Sequence, residues 1–285
     1  MGWKDPEPND SPPCRVLCKG MSALSEKFAE LKSKNEKALV LFVTAGDPSL
    51  DELPSILQAL EEGGADIIEV GIPFSDPIAD GPTIQASSQR SLDKGTTPAI
   101  ALEALRRSKL QIPVVLMGYY NPVLKMRIEE FASRSLEVGA HGMIMCDVIP
   151  DEASEWIAAC RRIGMDTIFL AAPTSTDKRL DEICRVSTGF VYAVSRTGVT
   201  GASQQSSGSA EELVERLRSR TDKPICVGFG ISTPDHVASV CQYADGAVVG
   251  SWLVDYLHAN WNRGEGSTEL VKQVRRLKEA TRSRL

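Results

Sequence analysis

Three carboxylates in residues 67–85 are of a type and spacing that could perform acid–base chemistry. Glu69 lies inside an apolar run, while Asp76 and Asp80 follow in a segment rich in proline and glycine. Neighbouring side chains of a strand point to opposite faces, so Glu69 would face the interior of a barrel if its apolar neighbours face outward. Burial would raise its pKa towards values useful for proton transfer. The pattern makes these carboxylates candidates for a proton-transfer site, although a structural Glu paired with a Lys or Arg would be the ordinary interpretation of Glu69 alone.

Two short segments further along the chain have the residue types of a phosphate site. Gly228 and Gly230 follow one apolar run, and Gly250 with Ser251 follows the next. Glycine lets backbone N–H groups approach a ligand closely, and a serine can begin a helix whose first N–H groups are free. The segments are compatible with a phosphate site, although ordinary turn glycines would give the same pattern.

An alternation of strands and helices must position these residues. Short apolar runs rich in β-branched residues alternate with longer stretches of helical periodicity, which is typical of βα units around a parallel sheet. We predict an α/β fold, a (β/α)₈ TIM barrel, because eight such units close into a barrel more readily than they stay open. The candidate strands are residues 39–44, 66–70, 113–117, 142–146, 167–171, 190–194, 224–227 and 247–250.

Segments outside the repeat complete a one-domain organisation. Residues 1–20 are expected to be a flexible leader, and residues 21–285 a single catalytic barrel domain. An extra N-terminal helix over 22–34 would cap the barrel floor, and another helix is expected over 268–282. The long loops after strands are predicted at 71–97 and 195–209, where a barrel enzyme builds its active site.

Composition excludes several classes of partner. The chain has 285 residues, a net charge of −6 and 42% hydrophobic residues, and no apolar run approaches the length of a membrane span. The acidic balance argues against nucleic acid as the main partner. Five of the seven cysteines lie in or beside apolar stretches, so we expect buried free thiols in a reducing cytoplasm. Cys14 and Cys18 could pair or bind a metal, but no second cluster of ligand spacing accompanies them, and no metal is expected.

The stretch Glu-Val-Gly-Ile-Pro-Phe-Ser-Asp-Pro-Ile-Ala-Asp-Gly-Pro at 69–82 resembles the signature of the tryptophan synthase α-subunit family. Further similar motifs occur in the same order at 42–48, 119–122, 192–201, 228–232 and 250–251. The resemblance implies a barrel lyase of tryptophan biosynthesis. It would cleave indole-3-glycerol phosphate into indole and glyceraldehyde 3-phosphate, a retro-aldol reaction without a metal or organic cofactor.

The resemblance also implies catalytic roles for three residues. Glu69 matches the acid/base that transfers protons, and Asp80 matches the carboxylate that hydrogen-bonds the indole N–H group and stabilises positive charge on the ring. Tyr192 matches a residue that lines the site, although core packing would be the ordinary interpretation of a single tyrosine.

Substrate-binding positions follow by the same resemblance. Gly201 and the glycines at 228, 230 and 250, with Ser251, match phosphate-contacting positions. Thr200 matches a lid threonine that meets Asp80 when its loop closes. Phe42 and Ile231 are expected to form apolar walls for the indole.

A partner is implied as well, namely a pyridoxal-phosphate-dependent β subunit in a heterotetramer of two α and two β chains. Pro73, Asp76 and Asn121 match its docking surface. One departure occurs at 146–152, Cys-Asp-Val-Ile-Pro-Asp-Glu, where the family usually has Pro-Asp-Leu-Pro-Pro-Glu-Glu. Its effect on lid packing or subunit coupling stays open.

Three alternatives remain at the level of the sequence. The first is a solitary lyase that releases free indole, since it would share the same catalytic residues. The second is a phosphosugar isomerase or epimerase on the same scaffold, for which the chain lacks a His or metal cluster. The third is a catalytically idle barrel that activates a β subunit, which the retained Glu69 and Asp80 oppose.

Overall fold

The computed structural model describes residues 21–194, 207–228 and 230–282, with the side chains of 207–209 left out. The predicted leader and most of the predicted loop at 195–209 lie outside these residues. The strands run parallel in one sheet. They are β1 (Ala38–Thr44), β2 (Ile67–Gly71), β3 (Val114–Gly118), β4 (Ala140–Met145), β5 (Asp166–Ile168), β6 (Leu170–Ala171), β7 (Val191–Val194), β8 (Ile225–Gly228) and β9 (Gly246–Val249).

The sheet closes on itself as a barrel. Its strand order is β5-β4-β3-β2-β1-β9-β8-β7-β6, and the two outermost strands are successive pieces of one extended segment interrupted at Phe169. The Phe169 carbonyl accepts a hydrogen bond from the Tyr192 N–H at 3.2 Å, so the interruption stays joined to β7. Because β5 and β6 together fill the fifth position, the predicted eight-unit TIM barrel is confirmed.

Helices cover the outside of the barrel, and none in the described ranges is both long and apolar enough to cross a membrane. Several begin at a threonine whose hydroxyl accepts the N–H three residues later, as at Thr97, Thr176 and Thr233. The helices are α1 (Ala23–Ser33), α2 (Leu53–Gly63), α3 (Pro82–Asp93), α4 (Pro98–Arg106), α5 (Tyr120–Met126), α6 (Ile128–Glu137), α7 (Ser154–Ile163), α8 (Asp177–Val186), α9 (Ser207–Arg218), α10 (Pro234–Val240), α11 (Ser251–Asn260) and α12 (Ser267–Glu279).

Because successive side chains of each strand point to opposite faces, the core has two layers. Leu41 and Ile68 pack in the layer between barrel and helices, whereas Val40, Ile67 and Val115 fill the barrel interior. This is the two-residue period of a strand with both faces buried. Side chains at 42 and 69, which are register partners, therefore stand on the inner face at the carboxyl end of the barrel.

The extra N-terminal helix closes the other end, as predicted. Leu24 and Phe28 of α1 belong to the interior cluster, and the rings of Phe28 and Phe190 lie 6.0 Å apart.

An ion network also holds this floor together. Asp66 accepts the Leu39 N–H at 2.7 Å and the Lys278 ammonium at 2.8 Å, and Lys278 pairs with Glu36 at 3.0 Å. The floor therefore contains a buried carboxylate, Asp66, whose two oxygens both have partners. A second buried carboxylate there, Asp166, has an Oδ2 without a partner in the described residues.

The prediction of a long loop over 71–97 is wrong. Helix α3 occupies most of it and leaves a loop at 72–81. The three buried side chains of α3 are serines, Ser87, Ser88 and Ser91. A helix without a buried apolar stripe does not give the hydrophobic periodicity on which the prediction relied.

Candidate active site

Glu69 stands on the inner face of β2 at the top of the barrel interior. It is fully buried, and within the described part of the chain neither carboxylate oxygen has a hydrogen-bond partner. Burial without a compensating cation raises the pKa of Glu69 from 4.5 to about 8. The described residues therefore do not pair Glu69 with a Lys or Arg, which was the alternative considered from the sequence. With this pKa, the Glu69 side chain is protonated at neutral pH.

Asp80 lies at the end of the loop after β2, directly before the Gly81 cap of α3. Its Oδ2 accepts a hydrogen bond from the Tyr119 hydroxyl at 3.0 Å, and its backbone carbonyl accepts one from Gln85 Nε2 at 2.9 Å. Burial raises the pKa of Asp80 to about 6, and the hydrogen bond from Tyr119 opposes this rise. Asp80 is therefore mostly ionised at the pH where Glu69 still holds its proton.

Tyr119 is a residue of the site that sequence reasoning did not assign. Its hydroxyl donates to Asp80 and accepts the Ala79 N–H at 3.1 Å, and its ring stacks on Phe74 with centroids 5.0 Å apart. These contacts join the end of β3 to the loop that contains Asp80. Its place directly after a strand, inside the motif at 119–122, is a signal that could have identified it.

Tyr192 reaches the same interior from β7. Its ring is buried, and burial raises the pKa of its hydroxyl well above 10, so it stays protonated. Gly228 provides the space for it, because a Cβ at that position would lie 2.2 Å from the Tyr192 hydroxyl oxygen. In the structure Gly228 leaves room for Tyr192, whereas the sequence resemblance assigned Gly228 to phosphate binding.

A single pocket at the carboxyl end of the strands gathers most of the proposed catalytic and substrate-binding residues. It encloses about 530 Å³ of space, part of it open to solvent. Its lining includes the predicted residues Phe42, Glu69, Asp80, Tyr192, Gly230, Gly250 and Ser251, and also Gly81, Ile84, Met117 and Val248, which the sequence did not single out. An apolar slot with two carboxyl groups suits a flat aromatic ring that carries a polar edge.

One side of this pocket is suited to an anion. Helix α11 begins at Ser251 beside Gly250, so its first N–H groups have no partner within the helix. Gly230 has a φ of +76°, a backbone conformation that favours glycine.

Some predicted residues lie elsewhere. Ile231 is buried in the outer layer between barrel and helices and is not among the described residues that line the pocket. Pro73 is buried in the loop after β2, while Asp76 and Asn121 are exposed. Thr200 and Gly201 lie outside the described residues.

Exposed apolar side chains surround the carboxyl end on the side of β2, β3 and β4. Ile78 is 78% exposed, Leu124 49% and Ile149 41%, each in the segment that follows one of these neighbouring strands. The segments are connected, since the Tyr120 N–H donates to Asp147 at 2.8 Å. Ile149 belongs to the stretch that departs from the family pattern.

No metal centre is evident in 21–194, 207–228 and 230–282, because no three His, Cys, Asp or Glu side chains there are grouped to hold an ion.

Comparison with known proteins identifies similar chains over nearly the whole length. The family model described as tryptophan synthase alpha chain matches residues 28–282. The tryptophan synthase alpha chain of Geobacter sulfurreducens is 47% identical over 91% of this chain and 99% of its own length. That of Methanosarcina acetivorans is 45% identical over 90% and 93%, respectively.

Solved structures agree with these sequence matches. A chain of Mycobacterium tuberculosis tryptophan synthase superposes with a TM-score of 0.85 at 38% identity, covering 93% of this chain and all of that one. The alpha subunit of Legionella pneumophila gives a TM-score of 0.83 at 29% identity, covering 92% of this chain and 99% of that one.

Proposed function

We infer the roles of the site residues from the premise that this chain belongs to the tryptophan synthase alpha chain family. It is a carbon–carbon lyase that cleaves indole-3-glycerol phosphate into indole and glyceraldehyde 3-phosphate. The observation that supports the proposed mechanism best is the pair of carboxyl groups in one pocket with different protonation at neutral pH.

Glu69 acts first as the acid and then as the base. Its protonated carboxyl donates a proton to the indole carbon that bears the side chain, which turns the ring into an electron acceptor. The resulting carboxylate then takes the proton of the side-chain hydroxyl while the C–C bond breaks and its electron pair returns to the ring. Indole and an aldehyde are released, and Glu69 regains its proton. A pKa of about 8 suits both steps near neutral pH.

Asp80 stabilises the charge that this protonation creates. Its ionised carboxylate accepts a hydrogen bond from the indole N–H, where positive charge develops. Tyr119 holds Oδ2 of Asp80 and so orients the carboxylate towards the pocket. A carboxylate that is already in place when the charge develops has little reorganisation to undergo in the transition state.

The remaining pocket residues bind and orient the substrate. Phe42 and Tyr192 form walls beside the ring, and Gly230, Gly250 and Ser251 present backbone and hydroxyl donors to the phosphate. We further propose that Thr200 and Gly201 belong to a lid, with Thr200 meeting Asp80 and Gly201 contacting phosphate.

A pyridoxal-phosphate-dependent β subunit is the proposed partner, in a cytoplasmic heterotetramer of two α and two β chains. The exposed Ile78, Leu124 and Ile149, with Asp76 and Asn121 among them, provide an apolar surface with a polar component. This surface lies beside the pocket mouth, so a partner bound there would be close enough to receive indole. Pro73, which is buried in the same loop, would fix the loop's conformation.

The test is an assay of indole release from indole-3-glycerol phosphate, with and without an added β subunit. Wild type should release indole, whereas Glu69→Gln and Asp80→Asn should each lose about 10²–10⁴-fold in turnover. Asp66→Asn, which changes a buried carboxylate at the floor, is the matched control and should retain turnover.

Three outcomes separate the alternatives. Turnover that rises when the β subunit is added supports the heterotetramer, and full turnover without it supports a solitary lyase. No indole from wild type under either condition, with a β subunit that is still activated, supports the idle barrel and contradicts the proposed mechanism.

A further inference from the structure

We propose that Arg90 and Asp47 form a positioning pair for Asp80, by holding α3 against the end of β1 so that the carboxylate stands at a fixed place in the pocket. The inference rests on the proposed role of Asp80. Neither residue lines the pocket among the described residues, so their effect would pass through the helix.

Helix α3 is attached to the barrel by polar contacts. Its buried residues are Ser87, Ser88 and Ser91, whereas α2, the preceding helix, buries leucine, isoleucine and alanine. Hydrogen bonds fix both the distance and the direction between the groups that they join. The helix that follows Asp80 is therefore held in one register.

Two serine contacts join α3 to the carboxyl end of β1. The hydroxyls of Thr44 and Ser87 are 2.7 Å apart, and the Ser91 hydroxyl donates to the Ala45 carbonyl at 2.5 Å. The approach is close, because a Cβ on Gly46 would lie 2.3 Å from the Ser91 hydroxyl oxygen. The pocket residue Phe42 lies on this same strand, so the contacts fix two walls of the pocket relative to each other.

The ion pair is the strongest of these contacts. Arg90 donates from Nε to Asp47 Oδ1 at 2.9 Å and from one terminal nitrogen to Oδ2 at 2.6 Å. The Asp47 side chain is 3% exposed and that of Arg90 29%, so the carboxylate depends on this partner. Two parallel charge-assisted hydrogen bonds set an orientation that a lysine cannot reproduce.

A short path connects this pair with Asp80. Asp80 is two residues before the first residue of α3, and Gln85 in the first turns donates to its carbonyl at 2.9 Å. The carboxylate itself is held by Tyr119, which directly follows β3. Rotation or sliding of α3 would thus move the Asp80 backbone while Tyr119 pulls on its side chain. A shift of about 1 Å in a catalytic group can cost about 10²-fold in rate.

The experiment compares Arg90→Gln with Arg106→Gln, which breaks another bidentate pair, to Glu103, on the exposed face of α4. Arg90→Gln should lower kcat by about 10- to 100-fold with little change in KM, since phosphate and apolar contacts remain. Arg106→Gln should match wild type. Arg90→Lys keeps the charge but loses the two parallel hydrogen bonds, and its kcat should lie between those of wild type and Arg90→Gln. This variant carries the test if Arg90→Gln does not fold. An unchanged kcat in both Arg90 variants would overturn the proposal.

A double-mutant cycle separates positioning from general loss of structure. Single-turnover cleavage is measured at enzyme excess for Asp80→Asn with and without Arg90→Lys. If Arg90 acts through Asp80, the second substitution should cost less than about twofold in the Asp80→Asn background. The same fold loss in both backgrounds would overturn the proposal. Full turnover by Asp80→Asn alone would instead contradict the proposed role of Asp80.

Discussion

Two buried carboxylates at opposite ends of the barrel, Asp66 and Glu69, have opposite surroundings. At the floor, Asp66 has Lys278 and the Leu39 N–H as partners. At the carboxyl end, Glu69 is fully buried and its oxygens have no partner in the described structure. An unpartnered buried carboxyl oxygen costs stability. That of Glu69 faces the pocket, whereas Asp166, whose Oδ2 is also unpartnered, lies at the floor away from it. Burial without a partner therefore points to chemistry where, as at Glu69, the carboxyl group also lines a pocket.

Replacing the unpartnered group should have the largest effect on turnover. Glu69→Gln removes the transferable proton and should lower kcat by about 10³-fold. Single-turnover cleavage of indole-3-glycerol phosphate measures it.

The same variant should change the pH dependence of stability. Because the pKa of folded Glu69 is raised from 4.5 to about 8, its contribution is fully present below about pH 4.5 and is lost as the pH rises to about 8. Urea unfolding between pH 5 and 9 should show this decline in wild type and a smaller one in Glu69→Gln. A decline of equal size in both would contradict the assignment of the proton to Glu69.

Adding one methyl group at each end would sharpen the comparison. Gly228→Ala places a Cβ 2.2 Å from the Tyr192 hydroxyl and should lower kcat/KM by about 10-fold as the ring is displaced. Gly246→Ala, near the floor, places one 2.8 Å from Cys226 Sγ. Overpacking should cost each variant about 1–3 kcal/mol in the free energy of unfolding, and only the first should lose activity at a temperature where both are folded. Equal losses of kcat/KM in the two variants would contradict the assignment of activity to the carboxyl end of the barrel.

The pH profile should report both carboxyl groups of the upper end. Asp80 must be ionised and Glu69 protonated, so kcat/KM should be highest between about pH 6 and pH 8 and fall by about 10-fold per unit beyond each limb. Asp80→Asn should lack the acid limb while it keeps the alkaline one. An acid limb that persists in Asp80→Asn would belong to another group.

The smallest effect on turnover is expected at the floor. Lys278→Met leaves Asp66 and Glu36 without their shared cation and should lower the free energy of unfolding by about 3 kcal/mol. Turnover at 25 °C should stay within about twofold of wild type. Denaturant melts and the indole assay on the same preparation measure both, and a large loss of turnover would mean that the floor also serves catalysis.

Much of this arrangement could be predicted from local pattern. The β-branched runs indicated the strands, and alternation around Glu69 was enough to place its side chain on the inner face. The phosphate-type glycines at 230 and 250 follow strands and line the pocket. Such features depend on a few residues that are neighbours in the chain, so a local sequence pattern is enough to predict them.

Features that depend on distant contacts could not be predicted. The buried serines of α3 meet polar groups at the end of β1, and Tyr119 bonds an aspartate 39 residues away. The interruption at Phe169 and the burial of Ile231 in the outer layer likewise depend on tertiary packing. Hydrophobic periodicity describes an amphipathic surface and gives no information on which polar groups meet.

Since Glu69 is protonated at neutral pH, the enzyme contains its own vibrational reporter. A protonated carboxyl has a carbonyl stretch at higher frequency than the ionised form and apart from the amide bands. Infrared difference spectra recorded across the pH range, with Glu69→Gln as the blank, would therefore detect this one proton directly. Adding substrate during such a measurement would show when the proton leaves.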